Sequence, residues 1–327
     1  MTFQTMLSRR LFTAAMLCSA ALAAGAQDKY PSKPITVVVP QAAGGANDAI
    51  ARVVAQKLGE QLGQSVIVEN RPGAGGTLAT GTTARARNDG YTLLLTADSA
   101  HVIGPALYKN PGFDPVKDFA PVAPVATAGY VLVAHPSFPA NNVAELVNLA
   151  KASPGKYSIA SAGNGTLNHL LGEMLNSMAG IQLQHVPYKG VAPAMNDVLG
   201  GQLPFVFASL PASLSHIKAG KLKALAVSSP KRSPALPDVP ALAESVPGYA
   251  GTLWIGLFSP AGVPAEVSAK LGEAMGKTLA AKDLRDKLEQ QGVELAAPTS
   301  PEQFSTLLNE DIARWAKIVK SSGAAID

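Results

Sequence analysis

The chain has little cysteine, few aromatic residues and little charge. One cysteine stands among 327 residues, 6% of the residues are aromatic and 15% are charged. A single cysteine excludes a disulfide scaffold and a zinc site made of cysteines. Lys and Arg total 27 against 23 Asp and Glu, and this excess is too small and too scattered to indicate the basic patch that nucleic-acid binding needs. Hydrophobic residues, at 47%, recur along the whole chain, which predicts a folded protein.

The first 26 residues have the features of a secretory signal. Arg9 and Arg10 precede an apolar run over residues 11–24, and the small residues at 24–26 allow cleavage after Ala26. The run is shorter than the roughly 20 residues that span a bilayer. The alternative is a buried N-terminal helix. Residues 8–12 (SRRLF) also resemble a twin-arginine signal, so Sec and twin-arginine export both stay open.

Removal of residues 1–26 changes the composition of what remains. Cys18 goes with this segment, and the loss of Arg9 and Arg10 lowers the net charge from +4 to +2. No later run is long and apolar enough for a membrane helix. We therefore expect a nearly neutral, cysteine-free periplasmic protein that is not embedded in the membrane.

Strands and helices alternate from residue 35 onwards. Residues 35–39 (ITVVV) are a continuous β-branched run, typical of a strand covered on both faces. A helix is predicted from Asn47, a strand at 65–69, a helix at 77–87 and a strand at 91–96. In one sheet this βαβαβ order implies parallel strands and right-handed crossovers.

The second half repeats this order, with Asn142 and Glu145 as a capping box at the start of one helix. The predicted strands there cover residues 130–134, 157–160, 184–188, 204–208, 222–227 and 252–258. We predict an α/β fold of two lobes, each a mainly parallel sheet flanked by helices. The predicted division is a signal at 1–26, the first lobe at 27–128, the second lobe at 129–240, and a return to the first lobe with C-terminal helices at 241–327.

Four strand-to-helix turns place glycine or other small residues just before a helix. They lie at residues 40–48, 70–77, 161–166 and 188–192. A helix N-terminus presents unpaired N–H groups and about half a positive charge, and glycine lets a ligand approach the backbone. Two such turns in each lobe predict an anion held between the lobes. The alternative is that the glycines only make tight turns.

The sequence lacks the common motifs of nucleotide-binding and hydrolytic enzymes. The glycine-rich segments at 73–78 and 163–168 both lack the last glycine or alanine of the dinucleotide fingerprint. The sequence has no P-loop and no Gly-x-Ser-x-Gly elbow, and its five histidines show no metal-binding spacing. We predict no catalytic residue, no cofactor and no metal.

Several segments resemble those of the Bug-type periplasmic solute receptors, the binding subunits associated with tripartite tricarboxylate transporters. The matching segments are VENRPGAGG at 68–76, DGYTLL at 89–94, HVPYKG at 185–190 and KRSPALPDVP at 231–240. The resemblance covers nearly the whole chain after the signal. It implies a two-lobed "Venus flytrap" fold that binds a small organic mono- or dicarboxylate, aliphatic or aromatic.

The resemblance also implies which residues bind the carboxylate. In the first lobe these are Ala43, Gly44, Gly45, Asn47 and Asp48. In the second lobe they are Ser161, Gly163, Asn164, Gly165, Thr166 and His169, followed by Tyr188, Lys189, Gly190 and Asp197. For Asp48 and Asp197 the alternative is a purely structural role, since a carboxylate early in a helix interacts favourably with the helix dipole. For His169 the alternative is a packing role.

The sequence departs from the usual family pattern at two places. Gln41-Ala42-Ala43 stand where aromatic residues or proline are frequent, which predicts a larger or more polar entrance. Asp98 and Ser99 follow the third strand, where small hydroxyl and amide residues are common, and both join the candidate site. Asp98 either repels a second carboxylate and attracts an amine, or it faces solvent.

The resemblance implies transient contact with membrane transporter subunits, and we expect a monomer. An open receptor would bind the ligand on one lobe, closure of the hinge would add donors from the other lobe, and the closed form would be selected by the membrane partner. Two alternatives stay open. One is a periplasmic enzyme, because α/β folds host many chemistries. The other is a sensory protein that signals to a membrane histidine kinase.

Overall fold

The structure is a computed structural model and describes residues 29–43, 46–290, 293–296 and 299–322. The predicted signal segment lies outside the described residues. The strands are β1 (Ile35–Val39), β2 (Val66–Asn70), β3 (Thr92–Ala97), β4 (Phe119–Ala134), β5 (Ser158–Ser161), β6 (Gln184–Pro187), β7 (Phe205–Ser209), β8 (Lys223–Val227), β9 (Thr252–Pro260) and β10 (Glu294–Leu295).

Helices connect most of these strands, and three helices complete the chain. The α-helices are α1 (Ala46–Leu62), α2 (Thr77–Ala84), α3 (Gly104–Leu107), α4 (Val143–Ala152), α5 (Leu167–Ala179), α6 (Val191–Leu199), α7 (Leu210–Lys218), α8 (Ala265–Ala280), α9 (Lys282–Glu289) and α10 (Pro301–Ser322). Within the described ranges, no helix combines the length and the apolar character needed to cross a membrane.

The first lobe is built on the sheet β2-β1-β3-β9-β4, with β10 on the far side of β4. β1 pairs in parallel with both β2 and β3. Its side chains are almost all buried, as expected for a strand with helices on both faces. The parallel arrangement predicted for the first three strands is confirmed.

The second lobe is built on the sheet β8-β4-β7-β5-β6. β5 pairs in parallel with β6 and β7, whereas β4 pairs antiparallel with β7 and β8. In the first sheet β9 is likewise antiparallel to β3 and β4. The α/β class is confirmed, and the sheets are mixed rather than mainly parallel because β4 and β9 run against their neighbours.

A single long strand, β4, belongs to both sheets. Its first part pairs with β9 as far as Gly129, and from Tyr130 onwards it pairs with β7 and β8. The sequence predicted only the second part, since Pro121 and Pro124 argue against a strand. The structure accommodates both prolines where the register with β9 shifts, because a residue without an N–H fits best at such an irregularity.

The chain passes between the sheets a second time through the segment from β8 to β9. Ser228 begins this segment, and its N–H donates to the Tyr130 carbonyl oxygen over 2.7 Å. Near its end Tyr249 is buried, and its hydroxyl donates to the Leu171 carbonyl oxygen of α5 over 2.8 Å. The C-terminal helix α10 buries Trp315 against the core. The predicted C-terminal helices are present as α8, α9 and α10.

Candidate functional site

A cleft of about 480 Å³ lies between the two lobes. The first lobe lines it with residues 40–42 after β1, residues 72–76 after β2, and Ser99 with Tyr108 after β3. The second lobe lines it with residues 164–168 at the start of α5. Three of the four predicted turns therefore meet at one place, as expected for turns beyond the carboxyl ends of parallel strands.

A larger depression of about 760 Å³ lies elsewhere, along α1 and the edge strand β2. All its lining residues belong to positions 52–68 of the first lobe. Closure of the two lobes cannot enclose a ligand there, so the inter-lobe cleft is the better candidate for a ligand site.

The turn after β2 has an unusual backbone. Four consecutive residues have positive φ, namely Gly73 (148°), Ala74 (45°), Gly75 (64°) and Gly76 (100°). A Cβ atom at Gly76 would lie 2.7 Å from the Cβ of Ala100 and 3.2 Å from that of Pro40. Glycine is therefore required there both for its φ and for space. The turn places the N-terminus of α2 at the cleft.

The loop of the second lobe, residues 161–166, joins β5 to α5. Gly163 and Gly165 have φ values of 127° and 73°, and Thr166 caps the helix with extended backbone but without a side-chain capping bond. Instead the Thr166 hydroxyl donates to the Gly163 carbonyl oxygen over 2.7 Å. The N-terminus of α5 faces the cleft through Leu167 and Asn168, where its dipole favours an anion.

Ser161 and His169 lie behind this loop rather than in the lining of the cleft. The Gly165 N–H donates to His169 Nδ1 over 3.1 Å. The Ser161 Oγ accepts the Gly163 N–H over 3.1 Å and lies 2.6 Å from His185 Nε2. Burial, assisted by His185, lowers the pKa of His169 to about 4. The sequence did not single out His185, because its partner Ser161 lies on the neighbouring strand.

Asp98 is fully buried and does not face solvent. Its Oδ1 accepts the Ser99 N–H over 2.6 Å. Burial, and then the nearby Asp311 carboxylate, raise the pKa of Asp98 well above its ordinary value. Of the two alternatives for Asp98, the one in which it faces solvent is therefore wrong, since the β3 terminus at which it lies is covered by other elements of the fold. Its neighbour Ser99 does line the cleft.

The predicted residues at the start of α1 lie beside the cleft. Asp48 is buried and forms an ion pair with Arg52, whose guanidinium also donates to Asn70 Oδ1 over 3.1 Å. This network ties α1 to the end of β2. Asn47 is buried, and Ala43 is exposed next to the lining residue Ala42. The predicted ligand residues Gly44 and Gly45 lie outside the described residues.

The fourth predicted turn, around Tyr188, is absent from the described lining of the cleft. The Tyr188 hydroxyl donates to the Asp197 carboxylate, and this bond raises the pKa of Tyr188. The Gly190 N–H donates to the Ala162 carbonyl oxygen over 3.1 Å, and Lys189 is exposed. These residues support the Ser161 loop from the next turn along the sheet.

Two tyrosines and a glutamine line the cleft without having been predicted as site residues. Tyr130 lies where β4 leaves the first sheet, and burial together with Asp98 raises its pKa. Tyr108 follows α3, and its hydroxyl lies close to Gly75. The buried Oε1 of Gln41 has no hydrogen-bond partner among the described residues. Only Gln41 had a signal in the sequence, as part of the unusual entrance.

The described residues that line the cleft carry no charge. The polar groups they offer are hydroxyls, amides and backbone N–H groups at the starts of helices. Such groups can hold an anion through neutral hydrogen bonds, and bonds to a charged partner contribute about 1.5–3 kcal/mol each. The arrangement is suited to binding a small anion between two lobes.

Comparison with known proteins decides the family. The sequence model of the tripartite tricarboxylate transporter family receptor matches residues 50–324. The chain belongs to this receptor family. Among curated proteins, BugT of Bordetella pertussis is 36% identical over 301 residues, 91% of this chain and 92% of BugT. The resemblance to Bug-type receptors is thereby confirmed.

Solved structures of the family also match this Bug-type receptor over most of its length. The periplasmic binding protein BugD is 39% identical with a TM-score of 0.78, covering 90% of this chain and 99% of BugD. Rpa4515 of R. palustris, solved with adipate, is 34% identical with a TM-score of 0.81, covering 91% and 99% of the two chains. The two-lobed periplasmic-binding-protein fold is thus confirmed.

Proposed function

We propose that this chain is a periplasmic solute receptor that binds a small organic carboxylate in the inter-lobe cleft and delivers it to a tripartite tricarboxylate-type transporter. The observation that carries the proposal is the meeting of residues 40–42, 72–76 and 164–168 around a cleft whose described lining is uncharged and offers hydroxyl, amide and backbone N–H groups. A carboxylate accepts hydrogen bonds from helix N-termini and hydroxyls without a cationic partner. The adipate held by a family member of similar fold supports this class of ligand.

The proposed movement is a hinge closure about the two chain crossings. β4 crosses at Gly129 and Tyr130, and the return segment crosses between Ser228 and Gly251. These crossings support the predicted division into 27–128, 129–240 and 241–327. An open receptor would bind the carboxylate on one lobe, and closure would add donors from the other lobe. A membrane partner that prefers the closed form would then select loaded receptors.

A ligand screen tests the proposed binding activity. The receptor is purified without denaturation, and retained small molecules are identified by mass spectrometry. A thermal-shift panel then compares aliphatic and aromatic mono- and dicarboxylates, adipate among them. A ligand at a hundred times its Kd adds about 2.7 kcal/mol of stability. The absence of any stabilising or co-purifying carboxylate contradicts the proposal, and turnover of the bound compound identifies an enzyme instead.

A second experiment tests delivery. Loaded receptor is immobilised and exposed to detergent-solubilised membranes that contain both the transporter subunits and sensor kinases. Capture of the transporter subunits, only when the carboxylate is present, supports delivery. Capture of a membrane histidine kinase instead identifies the sensory alternative.

A further inference from the structure

Two histidines stack on each other behind the cleft loop of the second lobe. His169 lies in the first turn of α5, and His185 lies in the edge strand β6. Their ring centroids are 3.8 Å apart and their planes differ by 16°. Only 8% of His169 is exposed. The pair therefore connects the helix that borders the cleft to the strand beneath it.

Each histidine is linked to a different glycine N–H of the loop. His169 Nδ1 accepts the Gly165 N–H directly. His185 acts through Ser161, whose Oγ lies 2.6 Å from His185 Nε2 and accepts the Gly163 N–H. Alternate N–H groups of the loop thus point back into the lobe, toward side chains that hold them.

The N–H groups between and beyond these glycines are left for the cleft. In the described part of the chain, no acceptor takes the N–H of Asn164, Leu167 or Asn168. All three residues line the cleft. The backward bonds of Gly163 and Gly165 hold the loop that carries these three N–H groups.

The protonation state of His169 agrees with this role. Since Nδ1 accepts a hydrogen bond, the ring proton lies on Nε2, which is 3.7 Å from Glu173 Oε1. Burial and the neighbouring His185 lower the pKa of His169 to about 4. The ring is therefore neutral near pH 7, and its Nδ1 lone pair is available to Gly165.

Catalysis by the same atoms is ruled out because a substrate cannot reach the Ser161 hydroxyl. The Ser161 Oγ and His185 Nε2 have the spacing of a nucleophile and its base. However, only 1% of Ser161 is exposed, and it is not among the described residues that line the cleft. A substrate carbonyl cannot reach its Oγ without removal of the loop.

We infer that His169 and His185 are positioning residues of the carboxylate site, which hold Gly163 and Gly165 so that the N–H groups of Asn164, Leu167 and Asn168 face the ligand. Neither histidine contacts the ligand in this arrangement. The inference rests on the proposed function, because it assigns these N–H groups to the bound carboxylate.

Amide substitutions that imitate one ring nitrogen at a time provide the test. Asn places a polar atom near the position of Nδ1, and Gln places one near the position of Nε2. H169N therefore retains an acceptor for Gly165 and H169Q does not. At the other position, H185Q retains a partner for Ser161 and H185N does not. All four variants lose the ring stack.

The expected result is a crossed pattern in affinity, measured by calorimetry with adipate or the most stabilising carboxylate of the screen. H169Q and H185N weaken binding about tenfold or more, whereas H169N and H185Q stay within about threefold of the unsubstituted chain. A packing role predicts the same order of Asn and Gln at both positions, because Gln fills more of the space left by the ring, and that result would overturn the inference.

Amide hydrogen exchange tests the positioning without any ligand. H169Q should accelerate exchange at Gly165 and leave Gly163 protected, and H185N should do the reverse. Unchanged exchange at both glycines would overturn the inference. If no carboxylate binds the unsubstituted receptor, the proposed function fails, while the exchange pattern still decides whether the histidines hold the loop.

Discussion

The Ser228 side chain and the Tyr130 backbone join the two segments that pass between the lobes. The Tyr130 N–H donates to Ser228 Oγ over 3.0 Å, and the Ser228 N–H returns a bond to the Tyr130 carbonyl oxygen over 2.7 Å. The same hydroxyl donates to the Gly251 carbonyl oxygen just before β9. One buried side chain therefore satisfies polar groups of both crossings, at the point where a hinge would bend.

Replacement of Ser228 should destabilise the receptor. S228A leaves the partly buried Tyr130 N–H and the buried Gly251 carbonyl oxygen without their side-chain partner, which costs about 1–3 kcal/mol. Urea denaturation measures this loss in the free energy of unfolding. The matched control is S229A, because the Ser229 hydroxyl bonds to the Lys231 carbonyl oxygen at an exposed site. Equal stability of the two variants would contradict the role assigned to Ser228.

The glycine turn after β2 gives a second prediction. In G76A the new Cβ would collide with Ala100 and Pro40 at a φ of 100°, so we expect a loss of more than about 2 kcal/mol and a distorted cleft. The control is G63A, because Gly63 also has positive φ (67°) but has no atom within 4 Å of an added Cβ. That variant should lose only about 1–2 kcal/mol, the backbone cost alone. Thermal unfolding compares the two, and equal losses would argue against the close packing.

Asp98 should make stability depend on pH. Its folded pKa is raised above the ordinary value of 3.8, so the folded chain holds a proton that the unfolded chain has released. Its contribution to stability therefore falls as pH rises from about 4 through the raised pKa. D98N keeps an oxygen for the Ser99 N–H and does not titrate. As pH rises from 4 to 7, the free energy of unfolding of the unsubstituted chain should therefore fall relative to that of D98N.

Denaturation at several pH values checks this prediction, with D98A as the comparison. D98A removes the acceptor of the Ser99 N–H as well as the charge, so it should be less stable than D98N throughout. A difference between D98N and the unsubstituted chain that stays constant with pH would show that Asp98 is already ionised in the fold.

The contribution of His101 to stability should change with pH in the opposite direction to that of Asp98. It is buried, stacks on Phe258 at 4.2 Å and bonds through Nε2 to the Pro115 carbonyl oxygen over 3.0 Å. Burial lowers its pKa from 6.5 to about 4. The stability it contributes is complete above pH 6.5 and is lost as pH falls toward 4, by about 3 kcal/mol at most.

H101Q isolates this effect, since its amide can still donate to Pro115 but does not titrate. The free energy of unfolding of H101Q should fall less steeply between pH 6.5 and pH 4 than that of the unsubstituted chain. Some slope remains, because the pKa values of His169 and His185 are also lowered. Identical slopes for the two proteins would contradict the assignment of a neutral, buried His101.

The first lobe could largely be predicted from the sequence, because its signals are local. The β-branched run of β1 and the glycine turns that follow β1 and β2 are visible in adjacent residues.

In the second lobe the capping box of α4 was also predicted, and Asn142 Oδ1 accepts the Glu145 N–H over 2.9 Å. Helix α7 was missed, because Pro211 at its start resembles a helix breaker although proline is well tolerated there.

The candidate site was harder to predict, because much of it depends on register. The position of the loop at residues 164–166 could be predicted from its glycines and from the helix that follows it. Tyr130 enters the cleft only because β4 continues from one sheet into the other, and the prolines hid that continuity. The partnership of His185 with Ser161 depends on parallel pairing between β5 and β6, which periodicity alone does not specify.

The sharing of β4 by both sheets also limits how this architecture can be recombined. A lobe grafted from a relative would have to be spliced inside a continuous strand near Gly129, where both sheets depend on unbroken pairing. Neither lobe is a self-contained unit, because each contains one half of β4 as an interior strand of its sheet. The turns at 72–76 and 161–166, in contrast, each lie within one lobe, so changes in them leave β4 unbroken. New ligand preferences in this fold are therefore more accessible through loop replacement than through the shuffling of lobes.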